Sequence, residues 1–347
     1  MTVVSVALPD SIFPRGYRPP VTTLPNRPFL NPQMKKLTDI SIIIPAFNAQ
    51  DYIGHLVEEL LREKAISIEV IVVDDGSTDG TAAILCAITD ERLVVISQKN
   101  QGVYAARNAA LAIHCGEWVV FLDADDQITD AFLQERLLIA RQENADVAIF
   151  NAWHADITGS HRHPVHRKQP YRQRLTGYAW IRHCVSQKEW PHYLWLQIVH
   201  SSYIRENNLR FQEGKSHKDI LWTLHLAAAN GLFCFADKKD YIYVNNHASI
   251  THRQDYYDIR AHSYIDVISD IITLSSKPQH HEIKRALTRH ALVECRHFLG
   301  LYRRKITDRQ SVRSSFRKRI ALSQLLAGAR SLSDIFFLLK LAGKIYL

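Results

Sequence analysis

The stretch "IEVIVVDDGSTDGTAAILCAI", residues 68–88, decides how this chain is read. It opens on a β-branched, apolar run that fits a buried strand, and two acids, Asp74 and Asp75, close that run. Gly76 and Ser77 make a tight turn, after which "DGTAAILCAI", residues 79–88, fits a helix. A strand that ends in acids and turns straight into a helix is one unit of an α/β protein.

The same alternation extends in both directions. Upstream, "DISIIIPAF" is a short β-branched run ended by Pro45, and "DYIGHLVEELLREK" places Ile53, Leu56, Val57, Leu60 and Leu61 on one helical face. Downstream follow strand "RLVVISQ", helix "GVYAARNAALAIHC", strand "EWVVFLDADD", helix "AFLQERLLIARQ" and strand "ADVAIFNA". Such an order predicts right-handed crossovers and a mainly parallel sheet covered by helices on both faces. Ligands of these sheets bind outside the carboxyl ends of the strands. Polar residues gather at those ends, at Pro45 to Asn48, Asp74 to Thr78 and Asp123 to Asp126.

Composition sets the outer bounds. The 347 residues are 46% hydrophobic and 22% charged, which suits a folded protein with a sizeable core. No apolar run is long enough to span a membrane, and no signal-peptide pattern opens the chain, so a cytoplasmic location is expected. Five cysteines, odd in number and without a C-x-x-C pair, predict buried reduced thiols. Residues 1–38 hold seven of the twelve prolines and read as an extended leader. The net charge of +8 is concentrated at the other end, where residues 284–347 carry fifteen Lys or Arg against three acids. That tail suits an anionic partner. Residues 151–173 read as a long His- and Arg-rich loop over the sheet, 174–255 as Trp-rich segments with one short strand in "KDYIYV", and 256–347 as mostly helical. The expected organisation is therefore a leader, an α/β domain over 39–255 and a basic helical extension over 256–347.

Two acidic strand ends carry the chemistry. Asp74 and Asp75 have the residue type that accepts hydrogen bonds from a nucleotide base or ribose, or else they cap the turn while Thr78 or Asp79 caps the helix. Neither G-x-G-x-x-G nor a phosphate-loop motif is present, which disfavours a Rossmann dinucleotide site. In "VVFLDADDQI", residues 119–128, Asp123 and Asp125 form a D-x-D, and two such carboxylates hold a hard divalent cation with positions left for a diphosphate. The bland alternative is a solvated acidic turn, or Asp126 or Thr129 capping the next helix. Arg107 and Asn108, in "NQGVYAARNAA", lie on a small-residue helix suited to close approach of a phosphate.

Four segments, "SIIIPAFNAQDYI", "VIVVDDGSTDGT", "NQGVYAARNAAL" and "WVVFLDADD", resemble in order and spacing the family 2 glycosyltransferases, inverting enzymes of the GT-A fold that use nucleotide-diphosphate sugars. The resemblance implies that Pro45, Phe47, Asn48 and Asp75 contact uridine, that Arg107 lies near the diphosphate, that Asp123 reaches the donor sugar or ribose, and that Asp125 ligates Mn2+ or Mg2+. It also implies a catalytic base about a hundred residues beyond the D-x-D, where "GKSHKDILWTLHLA" supplies Asp219; taken alone, Asp219 is equally a helix cap. Lys218 stands where the family often has Glu. In "YVNNHASITHR" the family's usual arginine is replaced, with Arg253 as a substitute.

The C-terminal half is similar to enterobacterial transferases that add glucuronic acid to a heptose of the lipopolysaccharide core. Trp190, Trp195 and Trp222 read first as core aromatics, with stacking on a sugar the sharper alternative, best placed at Trp222. The helical tail, with Phe336, Phe337, Leu338, Leu339 and Leu341 among basic residues, reads equally as an amphipathic helix on an anionic leaflet or as a helix packed on the domain. The expectation is a UDP-sugar-dependent transferase, peripheral on the inner membrane, acting on a lipopolysaccharide core or other lipid-linked glycan. The rivals are a transferase assembling O-antigen or capsule repeats on a lipid diphosphate, and, from another class, a basic nucleic-acid-binding protein; no nucleic acid is expected under the favoured reading.

Overall fold

The computed structural model describes residues 38–155, 162–214, 216–244 and 256–347. The expected leader and Arg253 lie outside these residues, apart from Thr38 at the leader's end. The first half alternates as predicted: β1 (Ile40–Ala46), α1 (Ile53–Leu61), β2 (Ile68–Asp74), α2 (Thr81–Ala87), β3 (Leu93–Ser97), α3 (Val103–Leu111), β4 (Trp118–Phe121), α4 (Phe132–Gln142) and β5 (Val147–Ala155). Then come β6 (Arg162–Pro164), β7 (Arg174–Thr176), α5 (Gly177–Gln187), β8 (Gln197–His200), α6 (Ser201–Glu206), α7 (Asp219–Ala228) and β9 (Leu232–Val244). The chain ends in α8 (Tyr256–Ser276), α9 (Lys284–Arg304), α10 (Arg309–Arg319), α11 (Leu322–Leu326) and α12 (Leu332–Ile345).

The strands form one sheet in the order β3-β2-β1-β4-β8-β5-β9-β7, with β6 paired to β5. β1 to β4 are mutually parallel, as are β5 and β9, while β8, β6 and β7 run antiparallel to their neighbours. The register pairs Ala46 with Asp74 and Asp74 with Ser97, and Ile43 with Phe121. The carboxyl ends of four strands therefore form a common lip. Pro45 fits within β1 because pairing with β4 stops at Ile43, so no ladder bond is lost on that side.

Alternate side chains of each strand enter different cores. Ile40, Ile42 and Ile44 pack with α1 and α4 on one face, whereas Ile43 faces α3 on the other. The second of these cores continues through α5 and α7 into α8, α9, α10 and α12, so the helical extension shares buried residues with the sheet.

Three expectations need correction. Part of the segment expected as a loop is paired, since β5 runs to Ala155 and β6 returns along it. The short strand at "KDYIYV" is the end of a strand of 13 residues, β9, whose pairing with β5 shifts register around Asn151. Not all thiols are buried: Cys86 is exposed and Cys115 half-buried, although all five cysteines are free.

Candidate active site

The lip is laced together by side chains of its own turns. Asp74 accepts from Ser77 N at 3.0 Å, and Asp79 accepts from Thr81 N at 3.0 Å, so both acids shape the turn into α2. Asn48, at a left-handed φ of 50°, accepts from Thr78 N at 2.8 Å, while its own N–H donates to Ser77 Oγ at 2.9 Å. Gly76 has φ +77°, and a Cβ there would lie 2.8 Å from Asn100 N, so only glycine fits the turn. Phe47 projects from this frame, 52% exposed, with Asn48 beside it. Pro45 is buried within β1, two residues before Phe47.

Asp75, 3% exposed, has a carboxylate that accepts from Gln98 Nε2 at 2.7 Å, Gln101 N at 2.8 Å and Gly102 N at 2.7 Å. In this arrangement Asp75 braces the 98–102 turn, with two of the bonds on Oδ1 and one on Oδ2, which leaves Oδ2 a further acceptor position. Gly102, with φ +92°, starts α3 from that brace and so sets where Arg107 emerges.

Arg107 is the centre of the site. Its Nη2 lies 2.6 Å from Asp123 Oδ1 and its Nη1 lies 3.2 Å from Asp219 Oδ1. One guanidinium thus joins two carboxylates that stand 96 residues apart in the chain. The Arg107 side chain is only 6% exposed, and it lies against the Tyr104 and Phe211 rings, 5.7 and 5.6 Å from their centroids. Its two terminal nitrogens each bind a carboxylate, so it stands between the acid of the β4 end and the acid of α7. Asn108, next on α3, holds the 211 strand-like segment by accepting from Phe211 N and donating to Phe211 O, each at 2.9 Å.

Asp219 is the first residue of α7, and the N-cap of that helix makes no side-chain cap bond, so the carboxylate is not spent on capping. Tyr104 donates to its Oδ2 at 3.1 Å and accepts from Lys218 N at 3.0 Å. Burial raises the Asp219 pKa above 3.8; Arg107 pulls it down and Asp123 pushes it up, with the rise prevailing. The lysine that replaces the family's Glu has its own work: Lys218 Nζ pairs with Asp266 of α8 at 2.9 Å, and Arg319 of α10 pairs with the same Asp266. The helical extension thereby fixes the start of the helix that carries Asp219.

At the end of β4, the three acids have separate surroundings. Asp126 accepts from Asp123 N at 2.7 Å and from Tyr241 of β9, and burial raises its pKa well above 3.8. Neither Asp126 nor Thr129 caps α4, whose N-cap is Ala131. Asp123 is 45% exposed along its side chain, and Asp125 is exposed. Among the described residues no three His, Cys, Asp or Glu side chains form a metal cage. The Asp123 and Asp125 carboxylates fit the other kind of site, in which one or two carboxylates share a divalent cation with a diphosphate.

Two of the three tryptophans, Trp195 and Trp222, belong to the core, and Trp190 is half-buried. Trp222 is 1% exposed, stacks on Phe211 at 4.2 Å and donates to Gln197 Oε1 at 3.0 Å, so no ring face is left for a sugar. Trp195, also buried, stacks on Tyr241 at 4.0 Å. Behind the lip, Arg136 makes two bonds to Asp240, at 2.9 and 2.6 Å, and lies between the Phe132 and Phe150 rings, an anchor for β9 that the sequence did not disclose. Tyr104 was likewise missed; its signal was its place three residues before Arg107, on the same helical face.

An acidic lip on a mostly parallel sheet, with a helical C-terminal region, defines a GT-A-like α/β protein. Residues 41–191 match the profile described as glycosyl transferase family 2. An uncharacterized glycosyltransferase, YibD of Escherichia coli K12, is 29% identical over 228 residues, 64% of this chain and 66% of that protein. The succinoglycan biosynthesis protein ExoO of Rhizobium meliloti is 28% identical over 63% of this chain and 64% of its own length. The matches thus span just under two thirds of these curated relatives. The crystal structure of S. aureus TarS 1–349 with UDP-GlcNAc superposes with a TM-score of 0.68 over 88% of each chain, at 20% identity, a likeness of fold.

Proposed function

We propose that this protein transfers a sugar, a hexuronic acid or hexose, from a UDP-linked donor to a lipid-linked glycan of the lipopolysaccharide-core type, inverting the anomeric carbon. The observation that carries the proposal is the Arg107 bridge, which sets Asp219 beside the acidic end of β4. Asp219 acts as base. It takes the proton from the acceptor hydroxyl as that oxygen attacks the anomeric carbon, and the bond to the UDP diphosphate breaks on the opposite side. A carboxylate whose pKa is raised by burial is a better proton acceptor than an exposed one, and Tyr104 and Arg107 keep it aimed. A divalent cation, Mn2+ or Mg2+, held by Asp125 would supply charge neutralisation to the departing diphosphate. Phe47 and Asn48 offer an exposed ring and amide for the uracil, and Asp123 faces the donor sugar or ribose. The UDP donor is further favoured by a fold neighbour solved with UDP-GlcNAc.

The same reading places the protein at the cytoplasmic face of the inner membrane. No described helix is long and apolar enough to cross a membrane. Support for a peripheral contact comes from α12, which exposes Leu332, Phe336 and Leu339 beside Lys340 and Lys344.

A melting-temperature panel of UDP-sugars, each with Mn2+ and with EDTA, tests the donor and the metal together. One donor should stabilise the protein, and EDTA should remove the gain. Asp219→Asn should keep UDP binding and lose nearly all transfer; unchanged transfer would remove Asp219 as the base.

A further inference from the structure

A cavity of about 310 Å3 lies where α5 and the turn after it meet α8 and α9, and its lining includes Trp190, His217, Arg260, Tyr264, His290 and Glu294. Its size falls at the lower end of the range for small-molecule sites, roughly 300 to 1,000 Å3. The cavity adjoins the start of α7. His217 and Ile220, two residues before Asp219 and one after it, both line it, and the charge of a third lining residue, His192, acts on Asp219 and Glu294 alike.

Three nitrogens in this lining are buried without a hydrogen-bond partner: Trp190 Nε1, His290 Nε2 and Arg260 Nε. His290 is 3% exposed, and its other ring nitrogen, Nδ1, is 3.7 Å from Glu294 Oε1, which leaves Nε2 as the unmet group. Buried polar groups are nearly always paired, so three unmet nitrogens around one cavity mark a missing ligand. Trp190 Nε1 and Arg260 Nε are donors that lack an oxygen acceptor, whereas burial keeps His290 neutral and, with Nδ1 facing Glu294, its Nε2 is an acceptor for a hydroxyl. The acids of the lining do not meet that need. Glu294 is bonded to His297 Nδ1 at 3.1 Å, and Glu189 accepts from Arg167 N, Lys168 N and Gln169 Nε2 at 2.9 to 3.0 Å. The Arg260 guanidinium lies 5.9 and 5.7 Å from the centroids of the Tyr256 and Tyr264 rings, and among the described residues no carboxylate pairs with it. The unmet chemistry is that of an oxyanion, beside aromatic walls suited to the C–H face of a sugar ring.

We propose that this cavity holds an anionic sugar of the acceptor, with carboxylate or phosphate oxygens on Arg260 and Trp190 Nε1, a sugar hydroxyl donating to His290 Nε2, and the ring beside Tyr264. The assignment to the acceptor rests on Asp219 being the base, since His217 and Ile220, on either side of that residue in the chain, line the cavity. The extension α8–α9 then supplies half of the binding site.

Binding of methyl glucuronide, glucose 6-phosphate, neutral methyl glucoside and inorganic phosphate to the full chain, followed by ligand-observed NMR, tests this, with UDP binding measured separately. At least one of the two anionic sugars should bind at least tenfold more tightly than methyl glucoside and than phosphate alone, the carboxylate and phosphate arms telling which oxyanion is preferred. Arg260→Met and Trp190→Phe, each checked for unchanged melting temperature and UDP binding, should weaken that sugar at least tenfold. Equal binding of the neutral and anionic sugars, phosphate binding as tightly as the sugars, no sugar binding, or no effect of either variant would overturn the proposal. Anionic sugar binding in a protein that binds no UDP would overturn the acceptor assignment and the transferase reading while keeping the sugar site.

Discussion

Arg107 holds two carboxylates with two separate nitrogens, and a lysine cannot reproduce that fork. Arg107→Lys should leave one acid of the pair uncompensated, at a cost of about 3 kcal/mol by analogy with broken buried pairs. Steady-state kinetics should then show kcat/KM lowered roughly 100-fold, while a loss below threefold would remove the bridge from the mechanism. The pH profile is a second test at the same residues. Because burial lifts Asp219 above 3.8, with Arg107 only partly offsetting the rise, kcat/KM should fall on the acid side as Asp219 gains its proton, with an apparent pKa above 3.8. A profile flat down to 3.8 would argue against Asp219. Residue by residue, the sequence was legible where a side chain's type states its role, as in the acids at the ends of β2 and β4. It was not legible where the role depends on what fills the remaining lone pairs. Nothing local shows that Asp75 also takes bonds from Gln98, Gln101 and Gly102 and so holds the start of α3.

Among elements, β1 to β4 were readable because each is an apolar run bounded by turn residues, a pattern that burial on both faces demands of β1, β2 and β4. β8 was not, since four residues, Gln197–His200, carry no period, and its place between β4 and β5 is set by long-range pairing. In β9 the polar "DKKD" breaks the apolar pattern at the register shift, so only its last part looked like a strand. α12 shows the same dependence on distant partners. Its Asp334 is 1% exposed and accepts from Arg289 Nη1 and Arg296 Nη2 of α9, both at 2.7 Å, and from Arg330 N at 2.9 Å. Burial by itself would raise this carboxyl, but the bonds from Arg289, Arg330, Arg296 and Ser331 outweigh it and hold the pKa well below 3.8. Asp334→Asn should therefore destabilise the protein by about 3 kcal/mol at neutral pH. A depressed carboxyl contributes stability that is complete above 3.8 and lost as pH falls through its folded value. The melting temperatures of wild type and variant should accordingly converge in acid below 3.8, and a gap that stays constant there would assign the effect to shape instead of charge.

At the scale of the whole molecule, the two readings of the tail turn on the two faces of α12. Phe337, Leu338, Leu341 and Ile345 are buried in the core shared with α8 and α9, so the helix does pack on the domain. The opposite face exposes Phe336 at 69% and Leu339 at 63%, with Leu332 one turn earlier. Exposed Lys340 and Lys344 lie on the same helix, and Arg317, Lys318 and Arg319 of α10 are exposed as well. Apolar side chains rimmed by cations suit the interface of an anionic leaflet, where both the burial and the charge terms favour contact. The start of α7, which carries Asp219, is tied to α8 and α10 through Lys218, Asp266 and Arg319, and α12 shares the core of those helices. Flotation of the full chain with phosphatidylcholine vesicles, with and without phosphatidylglycerol, tests the contact. The protein should float only with the anionic vesicles, and less as salt rises. Phe336→Ser combined with Leu339→Ser removes surface side chains, a kind of change that usually alters stability by less than about 0.5 kcal/mol per site. That double variant should lose flotation while keeping its UDP-induced rise in melting temperature, and flotation equal to wild type would sink the membrane role of α12.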